Sequence, residues 1–179
     1  NLDAYELGVA SAKVYDFIWD AYCDWYIELT KSRMQGDGAQ SAQNVLCYVL
    51  IQLLKLLHPF MPFITEEIYQ ALPHVSGEAS EFLMKTAWPV YDQSRSFPAE
   101  EAAMEEIMDL IRAIRTRRAE MNVAPGRKVQ LTVVTDRREV FTAGAPFFQR
   151  LAGASEVRVT DAAPAAQGMV EVITHAARA

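Results

Sequence analysis

Between Arg112 and Arg138 the chain carries eight basic residues: Arg112, Arg115, Arg117, Arg118, Arg127, Lys128, Arg137 and Arg138. Only Glu120 and Asp136 oppose them, so the segment has a net charge of +6. The 179-residue chain has −6 overall, which leaves −12 on the remainder. Cations gathered in this way on an acidic body suit phosphate contact at one place and repulsion elsewhere. The same arginines could instead pair with acidic faces of the protein itself, and charge alone leaves both readings open. Contact with nucleic acid predicts binding that weakens steeply with salt; internal pairing predicts lost stability when several arginines are neutralised. A second, smaller group, Tyr26, Lys31 and Arg33, stands just before the loop Gln35-Gly36-Asp37-Gly38.

The inventory for bond-making chemistry is thin. His58, His74 and His175 are far apart, and no HxxxH, CxxC, GxSxG or glycine-rich phosphate loop occurs. His58, at a helix end before Pro59, is expected to cap or fill the core. Glu66 and Glu67 with Asp24 or Glu28 could offer carboxylates to a metal, but histidines at the spacing of such sites are missing. Cys23 and Cys47 lie in apolar helical text and are expected to be reduced core residues, which suits a cytoplasmic setting. No signal peptide is visible. Gln52, Lys55, His58 and two prolines interrupt the apolar run 45–63, so no membrane span is expected.

Helices must position these residues. Residues 3–34 read as one long helix with two apolar stripes. One is Ala10, Val14, Phe17, Ala21 and Trp25; the other is Tyr15, Trp19, Tyr22, Tyr26 and Leu29. Its remaining face is mainly acidic. A second helix, 39–58, is apolar nearly all round and is expected at the centre of a bundle. It meets a third, 62–72, across the corner His58-Pro59-Phe60-Met61-Pro62-Phe63. There Pro59 stops one helix and Pro62 suits the first turn of the next. This corner is expected to be buried. The stretch 73–98 reads as a strap pinned by Phe82-Leu83-Met84 and Ala87-Trp88-Pro89. A fourth helix, 99–122, is acidic first and basic last, as the helix dipole favours, with Asp109 and Arg112 spaced to pair. Asn122, Pro125 and Gly126 end it.

The texture then changes. Residues 128–133 alternate as a half-buried strand, 137–152 read as a helical crossover weakened by Gly144 and Pro146, and 156–160 and 169–173 read as two more strands. The expected fold is mostly α: an antiparallel helix bundle over 1–124, followed by a small C-terminal α/β (β-α-β-β) subdomain over 125–179.

Four stretches, in order, carry a family resemblance. They are 15–28 (YDFIWDAYCDWYIE), 57–68 (LHPFMPFITEEI), Ala87-Trp88-Pro89, and Ile111-Arg112-Ala113-Ile114-Arg115 leading to 119–125 (AEMNVAP). With their spacing they cover most of residues 5–130. The chain resembles the anticodon-binding domain of class I aminoacyl-tRNA synthetases, most closely the valyl members.

The resemblance implies a parent that uses ATP and Mg²⁺ to attach valine to tRNA. It implies as partners the anticodon stem-loop of tRNA(Val) and the catalytic domain of the same polypeptide. The catalytic and editing domains of that family do not match here, and no cofactor is expected on this chain. A first bundle helix is expected before Asn1, and its loss is expected to uncover one apolar face. Unstacked anticodon bases are read by stacking and edge hydrogen bonds while cations hold the phosphates. The expected contacts are Tyr26, Lys31 and Arg33 with Arg112, Arg115 and Arg118, and Arg127 and Lys128 on the backbone. The alternative from another class is a helical module whose exposed groove binds a partner helix; a small helical metal or metabolite enzyme is a third.

Overall fold

The computed structural model describes residues 3–34, 38–73, 80–162 and 169–179. The loop residues 35–37 and the start of the strap, 74–79 with His74, lie outside them. The chain is mostly helical with a small two-stranded parallel sheet, and its contacts divide it into two compact units, Asn1–Asp92 and Gln93–Ala179.

In the first unit the helical path begins as α1, Leu7–Asp16. It widens to i→i+5 bonding over Phe17–Ile27, returns to an α turn, α2, over Glu28–Thr30, and tightens to a 3-10 turn over Lys31–Arg33. The long helix expected over 3–34 therefore begins later, at Leu7 after Tyr5 at φ 57°, and runs to Arg33 without being uniform. Of its two expected apolar stripes, only the late members Tyr22, Trp25 and Leu29 are buried; Tyr15, Phe17 and Trp19 are exposed. Tyr22 donates to the Leu46 carbonyl at 3.0 Å, tying this path to α3, Ala39–Leu57.

Burial pushes the Tyr22 phenol up from its ordinary 10.0 to about 12, with Cys23, Cys47 and Tyr26 adding to the rise. A raised folded-state value means stability that is complete below about pH 10 and lost as pH climbs towards 12, because the unfolded chain ionises first. Urea unfolding of wild type and Tyr22→Phe should therefore show wild type losing its advantage between about pH 9 and pH 11.5. A difference independent of pH would contradict this.

Helix α3 ends at His58, and α4, Pro62–Ala71, begins with proline in its first turn, as the sequence requires. The corner between them is closed by side chains. Thr65 Oγ1 lies 2.8 Å from the Met61 carbonyl and 2.7 Å from His58 Nδ1. The set is satisfied when Thr65 gives its single proton to Met61 and His58 Nδ1 donates to Thr65. The corner is not buried as expected. Thr65 and Tyr69 face the core at 1% exposure, but Phe63 is 90% exposed, and Met61, Ile64 and Ile68 are exposed too. Periodicity shows which residues favour burial; here α4 carries apolar side chains on more sides than the neighbouring elements cover.

Of the two expected pins of the strap, the first is buried at Leu83 and the second is not. Leu83, 2% exposed, joins Ile51, Leu54 and Tyr69 in one core, with Cys47, Leu50 and Leu72 packed around it. Burial raises the Cys47 thiol, and both cysteines are free and half-buried. Three side chains of α4 hold the strap backbone. Glu66 accepts from the Leu83 N–H at 3.0 Å, Tyr69 donates to the Ser80 carbonyl at 3.0 Å, and Gln70 to the Glu81 carbonyl at 2.6 Å. Trp88 is exposed instead of pinning the strap.

In the second unit α5, Pro98–Glu120, is polarised in charge and packs through Ile107, Leu110, Ile111 and Ile114. It ends where Asn122 takes φ 52°, and Val123 and Asn122 return their N–H groups to the Arg118 and Ala119 carbonyls. That is the left-handed helix stop asparagine tolerates. Strands β1, Val129–Val134, and β2, Ala154–Thr160, run parallel, joined by a crossover that breaks at Gly144 into α6, Arg138–Ala143, and α7, Ala145–Leu151. A Cβ at Gly144 would come within 2.8 Å of the Ile107 side chain, so α6 and α7 turn on a close approach to α5. Phe141 and Phe148 stack beneath the sheet as its core.

One sequence expectation changes here. The third strand expected over 169–173 does not form among the described residues. The Arg178 backbone exchanges both hydrogen bonds with Val134, so that edge of β1 is taken, and 172–179 folds back on itself. The boundary expected after residue 124 differs from the division of contacts after Asp92, which groups α5 with the strands.

Candidate nucleic-acid interface

The expected contact residues fall into both units. In the first, Tyr26 is half-buried at the end of the widened helix, its ring 6.1 Å from that of Tyr22. Burial raises its phenol while the nearby Arg33 guanidinium partly offsets the rise. Lys31, one turn on, pairs with Glu28. Arg33 is exposed, and among the described residues no side-chain partner holds it. One end of the helical path thus offers an aromatic face with a cation beside it, the pair that stacking and phosphate contact require.

In the second unit the arginines divide by what they hold. Arg112 pairs with Asp109 at 2.8 Å, as the spacing predicts, and Arg117 with Glu120 at 3.0 Å. Arg137 meets Glu106, and Arg138 meets Asp161 at 3.1 Å. Three other cations go to backbone carbonyls. Arg115 Nε donates to Leu151 at 2.7 Å and Lys128 Nζ to Gln149 at 3.3 Å, so both address the C-terminal end of α7, where the helix dipole favours positive charge. Arg118 Nη2 donates to the Arg127 carbonyl at 2.7 Å and to that of Ala124 at 3.4 Å, fastening the loop that leaves α5. Its guanidinium also lies against Gly153, whose φ of +72° follows the end of α7; a Cβ there would sit 3.3 Å from Arg118.

Carbonyl oxygens carry no formal charge. Arg118 and Lys128 are therefore fixed in place without being neutralised, and their field persists at the junction of α5, α7 and β1. The Arg127 side chain is exposed at the same junction and, among the described residues, has no bonding partner. Four expected contacts, Arg115, Arg118, Arg127 and Lys128, thus come together around one helix end and one loop, while Arg112 is held by Asp109 a turn earlier on α5. Sequence reasoning missed that Arg118 is also a structural clamp, half-buried with Nη1 unpartnered. It also missed the hold of Glu66, Tyr69 and Gln70 on the strap. A positive stretch beside a helix-ending asparagine was the available signal for the first; no local signal marks the second.

Among the described residues no group of three or more His, Cys, Asp or Glu side chains could hold a metal ion. With no phosphate loop in the sequence, no step through Mg²⁺ or ATP is assigned to this chain. No helix among them is long and apolar enough to cross a membrane.

The sequence that carries these residues matches a known family. Residues 1–134 match the model of the anticodon-binding domain of tRNA ligase, and the chain belongs to that family. Three similar proteins are each called valine–tRNA ligase. That of Clostridium acetobutylicum is 45% identical over 162 residues, 88% of this chain and 18% of the relative. That of Clostridium perfringens is 44% identical over 166 residues, 90% and 18%. That of Carboxydothermus hydrogenoformans is 47% identical over 136 residues, 75% and 15%. The chain thus spans less than a fifth of the length of these relatives.

Proposed function

We infer that this chain is the anticodon-binding domain of a cytoplasmic valine–tRNA ligase and grips the anticodon stem-loop of tRNA(Val). The parent enzyme attaches valine to that tRNA using ATP and Mg²⁺ held by its catalytic domain. This domain supplies position, not chemistry. In this reading residues 1–124 make up its helical part and 125–179 a small α/β subdomain built on the parallel pair β1 and β2. The observation that carries the reading is the set of cations fixed on uncharged carbonyls, Arg118 and Lys128, beside the exposed Arg127. Cations held rigid but not neutralised lose little freedom on meeting a phosphate. In the other unit, Tyr26 offers a ring for stacking and Arg33 a free guanidinium.

Arg33 and Arg127 are the cleanest probes, since neither holds the fold. Arg33→Ala or Arg127→Ala should weaken binding of the anticodon stem-loop about three- to tenfold with no change in melting temperature, consistent with loss of one phosphate contact each. Filter binding and thermal melts of the same preparations measure both. Unchanged affinity in both variants would remove these residues from the interface, and sensitivity to a chelator would favour a metal-dependent activity instead.

A further inference from the structure

The loop that leaves α5 has little packing to hold it. From Met121 to Lys128 only Val123 is half-buried, and every other residue is exposed. Hydrogen bonds fix it instead. Val123 and Asn122 bond back to the end of α5, the Arg127 N–H donates to the Ala124 carbonyl at 3.0 Å, and the Val129 N–H to the Gly153 carbonyl at 3.1 Å. Arg118 closes the turn. Its Nη2 donates to the Arg127 carbonyl at 2.7 Å and to that of Ala124 at 3.4 Å, while its Nη1 is enclosed without a partner. Gly153 makes the room. A Cβ there would stand 3.3, 3.4 and 3.6 Å from Nη2, Cζ and Nη1 of the guanidinium.

We propose that Arg118 is a positioning residue for RNA, acting through Arg127 rather than by gripping a phosphate itself. The proposal rests on the reading that this chain binds the anticodon stem-loop. One terminal nitrogen of Arg118 is enclosed and the other is spent on two carbonyls, so both serve the protein. Its charge still adds to the field at the junction. Arg127, whose carbonyl it holds, is the exposed cation. Fixing the Arg127 backbone before RNA arrives removes an ordering cost that an unheld loop meets on binding. The device needs an arginine. A planar guanidinium presents its donors in a rigid fork, whereas a lysine ammonium on a flexible stem keeps the charge and loses the fork.

The test places Arg118→Lys, Arg118→Ala, Arg127→Ala, and Arg118→Ala with Arg127→Ala, in the 179-residue chain. Affinity for the anticodon stem-loop of tRNA(Val), its salt slope and the melting temperature are read in all. Exchange of the Arg127 amide is read without RNA. Arg118→Lys should weaken binding about three- to tenfold, as loss of Arg127 does, and flatten the salt slope by about 0.7 although the net charge is unchanged. In the free protein it should speed exchange of the Arg127 amide about tenfold. Adding Arg118→Ala to Arg127→Ala should cost less than about twofold more, because both remove the same contact. Wild-type affinity and slope in Arg118→Lys would overturn the proposal, since charge alone would then suffice. Losses that add in the double variant would overturn it by making Arg118 an independent phosphate contact. Weakening that vanishes at temperatures where every variant is fully folded would reduce Arg118 to a structural role and overturn it too. If the wild-type chain shows no salt-sensitive binding, the anticodon reading falls and this role with it; binding with additive losses removes this role alone.

Discussion

Leu83→Ala is expected to remove about 3 kcal/mol from the unfolding free energy of the first unit, the usual cost of truncating a fully buried leucine. Leu83 is the one strap side chain in the Ile51, Leu54 and Tyr69 core, and its N–H is held by Glu66. Losing the side chain opens a cavity and leaves the strap held by its backbone bonds alone. Trp19, Trp25 and Trp88 all belong to the first unit, so tryptophan fluorescence during urea unfolding reports that unit. Met84→Ala, next door and exposed, is the control and should change stability by less than about 0.5 kcal/mol. Equal effects at the two positions would mean that Leu83 does not anchor the strap.

The second large effect concerns function. In the full-length enzyme, Arg112→Ala with Arg115→Ala is expected to lower kcat/KM for valylation of tRNA about 30- to 900-fold. That is the loss of two charge-assisted contacts of roughly 1–2 kcal/mol each. ATP–pyrophosphate exchange, which needs no tRNA, should be unchanged. Arg115 also caps α7 through Leu151, so the double variant needs its melting temperature measured alongside. Equal loss of both activities would point to a folding defect and against a contact role.

Much of this architecture is legible in the sequence because local chemistry sets it. Pro59 and Pro62 mark the corner, Asn122 stops α5, Gly144 and Pro146 break the crossover, and Asp109 finds Arg112 one turn away. What is not legible depends on partners distant in the chain. Arg115 reaches Leu151 across 36 residues and Lys128 reaches Gln149 across 21, and no spacing rule announces a cation aimed at a remote helix end. Residues 169–173 have strand-forming side chains, yet the C-terminal segment meets β1 at one point only, where Arg178 bridges Val134, and Ile173 pairs with Arg178 instead. The corner reads as buried because Phe63, Ile64 and Ile68 are apolar, and apolarity specifies a preference, not the surface that satisfies it. For the candidate interface, residue types indicated cations and an aromatic ring. Only the structure separates Arg33 and Arg127, for which no side-chain hydrogen bond or ion pair is seen among the described residues, from Arg118, which also holds the fold together.

The most direct measurement is the salt dependence of binding between the 179-residue chain and the anticodon stem-loop of tRNA(Val). If about three to five phosphates are held by the cations named here, log K should fall against log salt with a slope of about −2 to −4, at roughly 0.7 per contact. The stem-loop should also bind more tightly than a duplex of the same length and charge, since stacking needs unpaired bases. Binding that is flat with salt, or equal for stem-loop and duplex, would contradict anticodon recognition by this chain.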